Sequence, residues 1–176
     1  MFRSVTIDEE YVYFTLIDGT ILTVPLARGV AVDAILFEDE LVKSICVSRW
    51  DTDKDGELSV AEAEAVTSLR KAFNAKPIRH FREFVYFTGV KALADSEFCD
   101  FESIVLPANL AAVGDYAFSY CLSLKSVECK GGLPPTVGVN IFDYIPASNY
   151  VIRVPASAVE RYKTAEGWSD YASRIV

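Results

Sequence analysis

Val113-Gly-Asp-Tyr-Ala-Phe118-Ser-Tyr-Cys121-Leu-Ser-Leu124-Lys-Ser-Val127-Glu-Cys129 is the stretch that decides the fold, because it recurs. Upstream, Leu93-Ala-Asp-Ser-Glu-Phe98-Cys-Asp-Phe101-Glu-Ser-Ile104-Val-Leu106 falls into register with it. Downstream, Val137-Gly-Val-Asn-Ile-Phe142 and then Tyr150-Val-Ile152-Arg-Val154 do the same. In each copy an aliphatic residue precedes a phenylalanine by five positions: Leu93/Phe98, Val113/Phe118 and Val137/Phe142. The pairs Ile104/Leu106, Val127/Cys129 and Ile152/Val154 recur at spacings of 23 and 25. A repeat of this size predicts stacked units, each too small to bury a core of its own. The strands should stack as a short parallel ladder, with the aliphatic and phenylalanine positions filling the interior. The first unit is three residues shorter than the second between its phenylalanine and its strand.

Upstream of the repeats lies Asp51-Thr-Asp53-Lys-Asp55-Gly56-Glu57-Leu58-Ser59-Val60-Ala61-Glu62. It fills the constrained positions of a twelve-residue EF-hand calcium loop. Oxygens would come from Asp51, Asp53, Asp55, the backbone carbonyl of Glu57, and Ser59 directly or through water. Glu62 would close the site with two more. A hard cation of large coordination number needs this many oxygens, and Gly56 stands where the chain must turn sharply. One calcium ion is therefore the expected cofactor. The alternative, an acidic turn with no ion, requires these spacings to coincide by chance.

Flanking the loop, Phe37, Leu41 and Ile45 with Leu36, Val42 and Cys46 predict a helix running from Asp33 into Trp50,. Ser59 and Glu62 can form a capping box for a second helix, expected to continue through Leu69. EF-hand loops usually pair with each other. A lone loop must be supported by other parts of the chain.

Earlier still, Tyr11–Leu16 and Ile21–Pro25 are β-rich runs separated by Asp18-Gly19. That pattern predicts a hairpin with a two-residue type I′ turn. Pro25 should end the second strand. The expected architecture is α+β. A hairpin (1–26) leads to a helix–loop–helix (27–79), then to a short solenoid with a C-terminal helical cap (80–176).

The repeat residues carry a resemblance. Val-Gly-Asp-Tyr-Ala-Phe-Ser-Tyr-Cys-Leu-Ser-Leu-Lys-Ser-Val (113–127) is similar to the signature of BspA-type leucine-rich repeats of bacterial cell-surface proteins. Lys-Gly-Gly-Leu-Pro-Pro-Thr-Val-Gly (130–138), Val-Ile-Arg-Val-Pro (151–155) and 158–171 resemble the last unit and cap of such arrays. Phe84–Gly89 resembles their entry. The resemblance covers about residues 80–176. It implies a surface or secreted module that recognises an extracellular protein or glycan, as in adhesion. The lone calcium loop also resembles those of dockerins, which implies calcium-dependent assembly as a second reading.

Composition narrows the classes further. The chain has 176 residues, 51% of them hydrophobic and 24% charged, enough for a sizeable core,. Residues 33–64 hold ten acids against Lys43, Arg49 and Lys54, so this segment carries −7 of the formal −8. Residues 70–91 are basic, but the overall charge opposes a nucleic-acid partner. No apolar run has the length of a membrane span. The first ten residues lack a signal-peptide core, so the expectation is either a cytosolic protein or an exported one whose signal has been removed.

Cys46, Cys99, Cys121 and Cys129 form no C-x-x-C pair, and the one histidine, His80, is distant in sequence. They are expected to be buried thiols rather than a zinc site or a disulfide framework. Trp50 and Trp168 are expected to pack, as are Phe81, Phe84, Tyr86 and Phe87 at the junction before the repeats. No catalytic or nucleotide-binding motif stands out. A carboxylate-based hydrolase is the weakest alternative.

Overall fold

The structure, a computed structural model, describes residues 2–7, 11–16, 19–25, 33–74, 76–98, 101–146 and 150–176. Asp18 and Cys99 lie outside them. Strands β1 (Phe2–Ile7), β2 (Tyr11–Leu16) and β3 (Ile21–Pro25) form an antiparallel sheet in the order β1-β2-β3. The hairpin is β2–β3, and β1 is a third strand that the sequence reading does not predict. The turn is also longer than two residues. Thr15 pairs with Ile21, the Leu16 N–H donates to Thr20 O at 2.8 Å, and the Gly19 N–H donates to Leu16 O at 3.1 Å. Gly19, at φ +84°, takes the left-handed position such a three-residue turn requires,.

Helix α1 spans Glu40–Trp50 rather than starting near Asp33. Asp39 sets its start, because its side chain accepts the N–H groups of Leu41 (2.9 Å) and Val42 (3.4 Å),. The buried face is Val42 and Cys46, while Leu41 and Leu36 are exposed. Helix α2 is short, Val60–Ala65. Its start is the expected Ser59/Glu62 capping box. Val66 already has extended backbone, so Leu69 is buried from a turn rather than from a helix.

The repeats form a parallel-stranded solenoid of about three turns. One ladder has four strands, β4 (His80–Phe81), β6 (Ser103–Leu106), β8 (Ser126–Cys129) and β10 (Val151–Arg153), all parallel to their neighbours. A second ladder joins β5 (Ala92–Leu93), β7 (Ala112–Val113) and β9 (Thr136–Val137). The register matches the sequence period, with Ile104 opposite Val127, Leu106 opposite Cys129, and Ile152 opposite Val127. Phe81 opposite Ile104 begins the same column one unit earlier. The phenylalanines stack face to face between the ladders. The ring centroids of Phe98 and Phe118 are 5.5 Å apart, and those of Phe118 and Phe142 are 5.3 Å apart. Offset stacking at this spacing adds about 1 kcal/mol per pair beyond the buried area.

The β10 end of the larger ladder is covered by a further paired segment, which blunts the hazard of an open edge, and the β4 end is anchored by a side-chain hydrogen bond,. At one end the Arg79 N–H donates to Asp39 Oδ2 at 3.0 Å. At the other the chain terminus pairs with β10, with Val154 N–H donating to Val176 O (3.0 Å) and Val176 N–H to Ile152 O (2.9 Å). Helix α3 (Val159–Thr164) and the 3₁₀ turn Ser169–Arg174 form the cap. Trp168 is buried there, and its indole N–H donates to Pro135 O at 2.8 Å.

A single core of packed side chains runs from Ile35 to Ile175. Trp50 is half-buried against Phe73 and Phe87, and Phe81, Phe84 and Phe87 are fully buried. Tyr86 departs from the expectation and is exposed. Cys46, Cys121 and Cys129 are buried, and burial pushes the Cys129 thiol up to about 12. Thiols so protonated are inert as nucleophiles. Among the described residues no helix is long and apolar enough to cross a membrane.

Candidate metal centre

Asp51 ends α1, and its backbone N–H still donates to Val47 O at 3.2 Å. The loop then folds around its own carboxylates. Asp51 Oδ1 accepts the Lys54 N–H (2.6 Å) and Oδ2 the Gly56 N–H (3.0 Å). Asp53 Oδ1 accepts from Asp55 N–H (3.1 Å), and Asp55 Oδ1 from Glu57 N–H (2.8 Å). Each short acidic side chain thus bends the backbone by hydrogen-bonding a few residues ahead. Gly56, at φ +89°, occupies a conformation that a Cβ would disfavour, although open space surrounds it,.

The result is convergence. One carboxylate oxygen from each of Asp51, Asp53 and Asp55 lies within 4.8 Å of the others. The Asp53 carboxyl shows the strain of this crowding. The Asp55 N–H favours its charged form, but desolvation and the charges of Asp55 and Glu62 outweigh that and raise its pKa. A cation among the three would relieve that repulsion.

The other predicted ligands are placed differently. Glu57 turns its side chain to Lys43, with an oxygen 2.7 Å from Nζ. That leaves its backbone carbonyl as the group for an ion. Ser59 and Glu62 hold each other: Glu62 Oε2 accepts from Ser59 N–H and Oγ, each at 3.0 Å. Glu62 Oε1 accepts from Thr52 N–H (2.6 Å) and Oγ1 (2.8 Å). The structure therefore brings three of the six predicted residues together and leaves Glu62 bound to the loop itself. The hard, all-oxygen donor set fits a calcium ion, provided Glu62 exchanges these hydrogen bonds for the metal.

Glu62 also titrates in a defined way. Burial raises its pKa, but the hydrogen bonds from Ser59 and Thr52 outweigh this and bring it down to about 2. A folded pKa below the unfolded value adds stability above the unfolded pKa, and that stability is lost as pH falls through the folded one. In chelator, the melting difference between the wild type and Glu62→Gln should be full above about pH 4.3 and should fade toward pH 2. Melting curves across that window check this. A difference independent of pH would mean the carboxylate charge is not what holds the loop.

Among the described residues the loop pairs with no second loop of its kind. Instead the segment just before α1 lies against it. Ala34 bridges Ser59, the Ile35 N–H donates to Leu58 O at 2.8 Å, and the Val60 N–H donates to Asp33 O at 3.2 Å. Leu58 is fully buried beneath this bridge.

The solenoid also gathers residues that sequence reasoning did not join. His80 and Ser103 are register partners on the outer face of the ladder, with Nδ1 2.8 Å from Oγ. Their separation of 23 is the repeat spacing, which is the signal that finds them. Glu102 beside them is engaged by Lys125 and Arg79. Around this face a cavity of about 430 Å³ is lined by Arg82, Ser103, Val105, Ser126, Glu128 and Arg153, among others. The chain matches no protein-family model and no curated protein sequence, so its function has to be argued from this geometry.

Proposed function

We propose that the protein is a non-enzymatic binding module in which one calcium ion, held by an EF-hand-like loop, fixes the entry to a leucine-rich-repeat solenoid. The convergence of Asp51, Asp53 and Asp55 carries this reading. Calcium acts on stability rather than as a signal. A sensor exposes an apolar groove when its helices open. Here the apolar residues of those helices, Val42, Cys46 and Ala63, are spent in the protein's own core. The bridge from Asp33–Ile35 also occupies the edge that a second loop would use. Both observations count against a dockerin-like assembly role. The outer face of the ladder, mixed in charge and open, is the surface offered to an extracellular protein or glycan.

Thermal unfolding in calcium, magnesium and chelator tests this. At free calcium one hundred times the dissociation constant, binding adds about 2.7 kcal/mol. For a chain of this size that raises the melting temperature by roughly 5–10 °C. Magnesium should do much less, because it resists giving up its water shell. Asp53→Ala is the diagnostic variant, since the Asp53 side chain is exposed and accepts one loop N–H. It should abolish the calcium shift and change the melting temperature in chelator little. Glu62→Gln is less clean, because Glu62 also holds the loop without an ion. The absence of any calcium shift in the wild type would remove calcium from the function.

A further inference from the structure

After α2 the chain makes a tight turn at a conformational cost. The Ala72 N–H donates to Leu69 O at 3.0 Å, and the two corner residues, Arg70 and Lys71, are left-handed at φ +50° and +54°. Glycine and asparagine take such corners with the least strain; a long side chain does not. Buried Leu69 and Ala72 fix the turn on either side, and Glu97 Oε1 accepts the Lys71 N–H at 2.7 Å. The turn is thus pinned by the core, yet the Arg70 side chain that it carries is exposed. Strain of this kind clusters at functional sites.

Beside the turn lies a depression of about 350 Å³, lined by Arg49, Trp50, Thr67, Ser68 and Arg70, among others. No carboxylate lines it. Neither guanidinium forms an ion pair or a hydrogen bond among the described residues, whereas Arg79 and Arg82 are paired with Glu102 and Glu38. The N–H groups of Thr67 and Ser68 likewise have no acceptor among the described residues. Arg49 also opposes the carbonyl end of α1, where it occupies the last turn,. Arg70 belongs to no helix, so that role does not account for it. In a chain of formal charge −8, one depression thus holds two uncompensated cations.

We propose that this depression binds the oxyanion of a phosphate or sulfate ester. Each guanidinium can donate two parallel hydrogen bonds to such a group. A carboxylate has two oxygens, which one fork fills. A tetrahedral oxyanion has three, enough for both arginines and a backbone N–H. Trp50, half-buried against Phe73 and Phe87, gives an aromatic wall for the organic part of the ester,. The volume is at the lower end for a small-molecule site. Both arginines are exposed, so ordering them on the ligand holds the affinity down,. The site uses none of the proposed calcium ligands and no residue of the ladder, so it stands apart from the binding-module reading.

An NMR titration of the full chain in chelator tests the site, through the Thr67 and Ser68 amides and the Trp50 indole N–H. Salt of about 0.15 M screens the acidic loop beyond about 8 Å. Phenyl phosphate should shift these resonances saturably with a dissociation constant of about 1 mM. Phenol should not shift them, and benzoate should bind several-fold more weakly. Arg49→Gln and Arg70→Asn should each weaken binding about tenfold. Arg70→Asn is the sharper variant, because asparagine tolerates the left-handed corner. Its melting temperature should hold or rise while its affinity falls. Phenyl phosphate binding more tightly than phenyl sulfate assigns the site to phosphate esters; equal affinity assigns it to either ester. No saturable shift, undiminished affinity in Arg70→Asn, or an equal response to phenol overturns the proposal. Because no calcium is present, none of these results depends on the calcium loop.

Discussion

Phe118→Ala should destabilise the protein by about 3–5 kcal/mol, the range for removing a fully packed phenyl ring. Phe118 is the middle ring of the stack, 1% exposed, in contact with Phe98 on one side and Phe142 on the other at interplanar angles of 11° and 15°. Its loss leaves a cavity between two units that cannot close, because hydrogen bonds hold the units at a fixed rise. The Phe98 N–H donates to Ala117 O at 3.0 Å and the Phe118 N–H to Ile141 O at 2.9 Å. In a solenoid, stability resides in the interfaces between neighbours, and this substitution weakens two of them at once. Denaturant unfolding measures the loss. The comparison is Tyr120→Ala, which removes a ring from the exposed Tyr120–Tyr144 stack (centroids 4.3 Å apart) and should cost far less. Equal losses for the two would mean that the interior column does not carry the stability assigned to it.

Gly89→Ala should cost about 3 kcal/mol, near the upper end for overpacking, and should also weaken calcium binding. A Cβ at position 89 would sit 2.4 Å from both the Glu64 and the Val66 carbonyl oxygens. Neither is the tip of a flexible side chain; both are backbone at the end of α2. Relief requires α2 to move away from the first solenoid turn. Glu62 lies on that helix, so the end of the acidic loop proposed to hold calcium would move with it. Melting in chelator reads the packing cost, and the size of the calcium-induced shift reads the coupling. An unchanged calcium shift beside a large loss in chelator would show that the loop and the solenoid are energetically independent.

That seam is held by contacts between residues far apart in sequence. Besides Gly89, the Lys71 N–H donates to Glu97 Oε1 at 2.7 Å. Glu97 is 1% exposed, and burial raises its pKa despite the N–H donors of Ala94 and Lys71. Phe73 packs against Phe81 at 4.7 Å and against Phe98 at 6.4 Å. A calcium ion near α1 and α2 would therefore act on a structure already welded to the repeats. This is the physical basis for assigning it to stability.

The sequence by itself determined whatever depends on neighbours along the chain or on repetition. The spacing of 23 fixed the partnership of Ile104 with Val127, because identical units stacked in parallel must align identical positions. The five-residue step from Val113 to Phe118 fixed the stacked column. Ser59 followed three places on by Glu62 fixed the start of α2, since a capping box is closed within one turn. Alternating aspartates fixed the bend of the acidic loop for the same local reason.

Only the tertiary structure decided the rest. It started α1 at Glu40, where Asp39 caps the helix and also holds the Arg79 N–H. It laid Asp33–Ile35 along the loop, where the sequence favoured a helix. It recruited His80–Phe81 as the first ladder strand, although that unit lacks the repeat's spacing of aliphatic and phenylalanine. It buried Glu83, whose Oε1 accepts the Glu38 N–H. Each of these outcomes pairs a hydrogen-bonding group with a partner supplied by another segment. Local propensity cannot encode such a partner, because its position is set when the chain closes on its core.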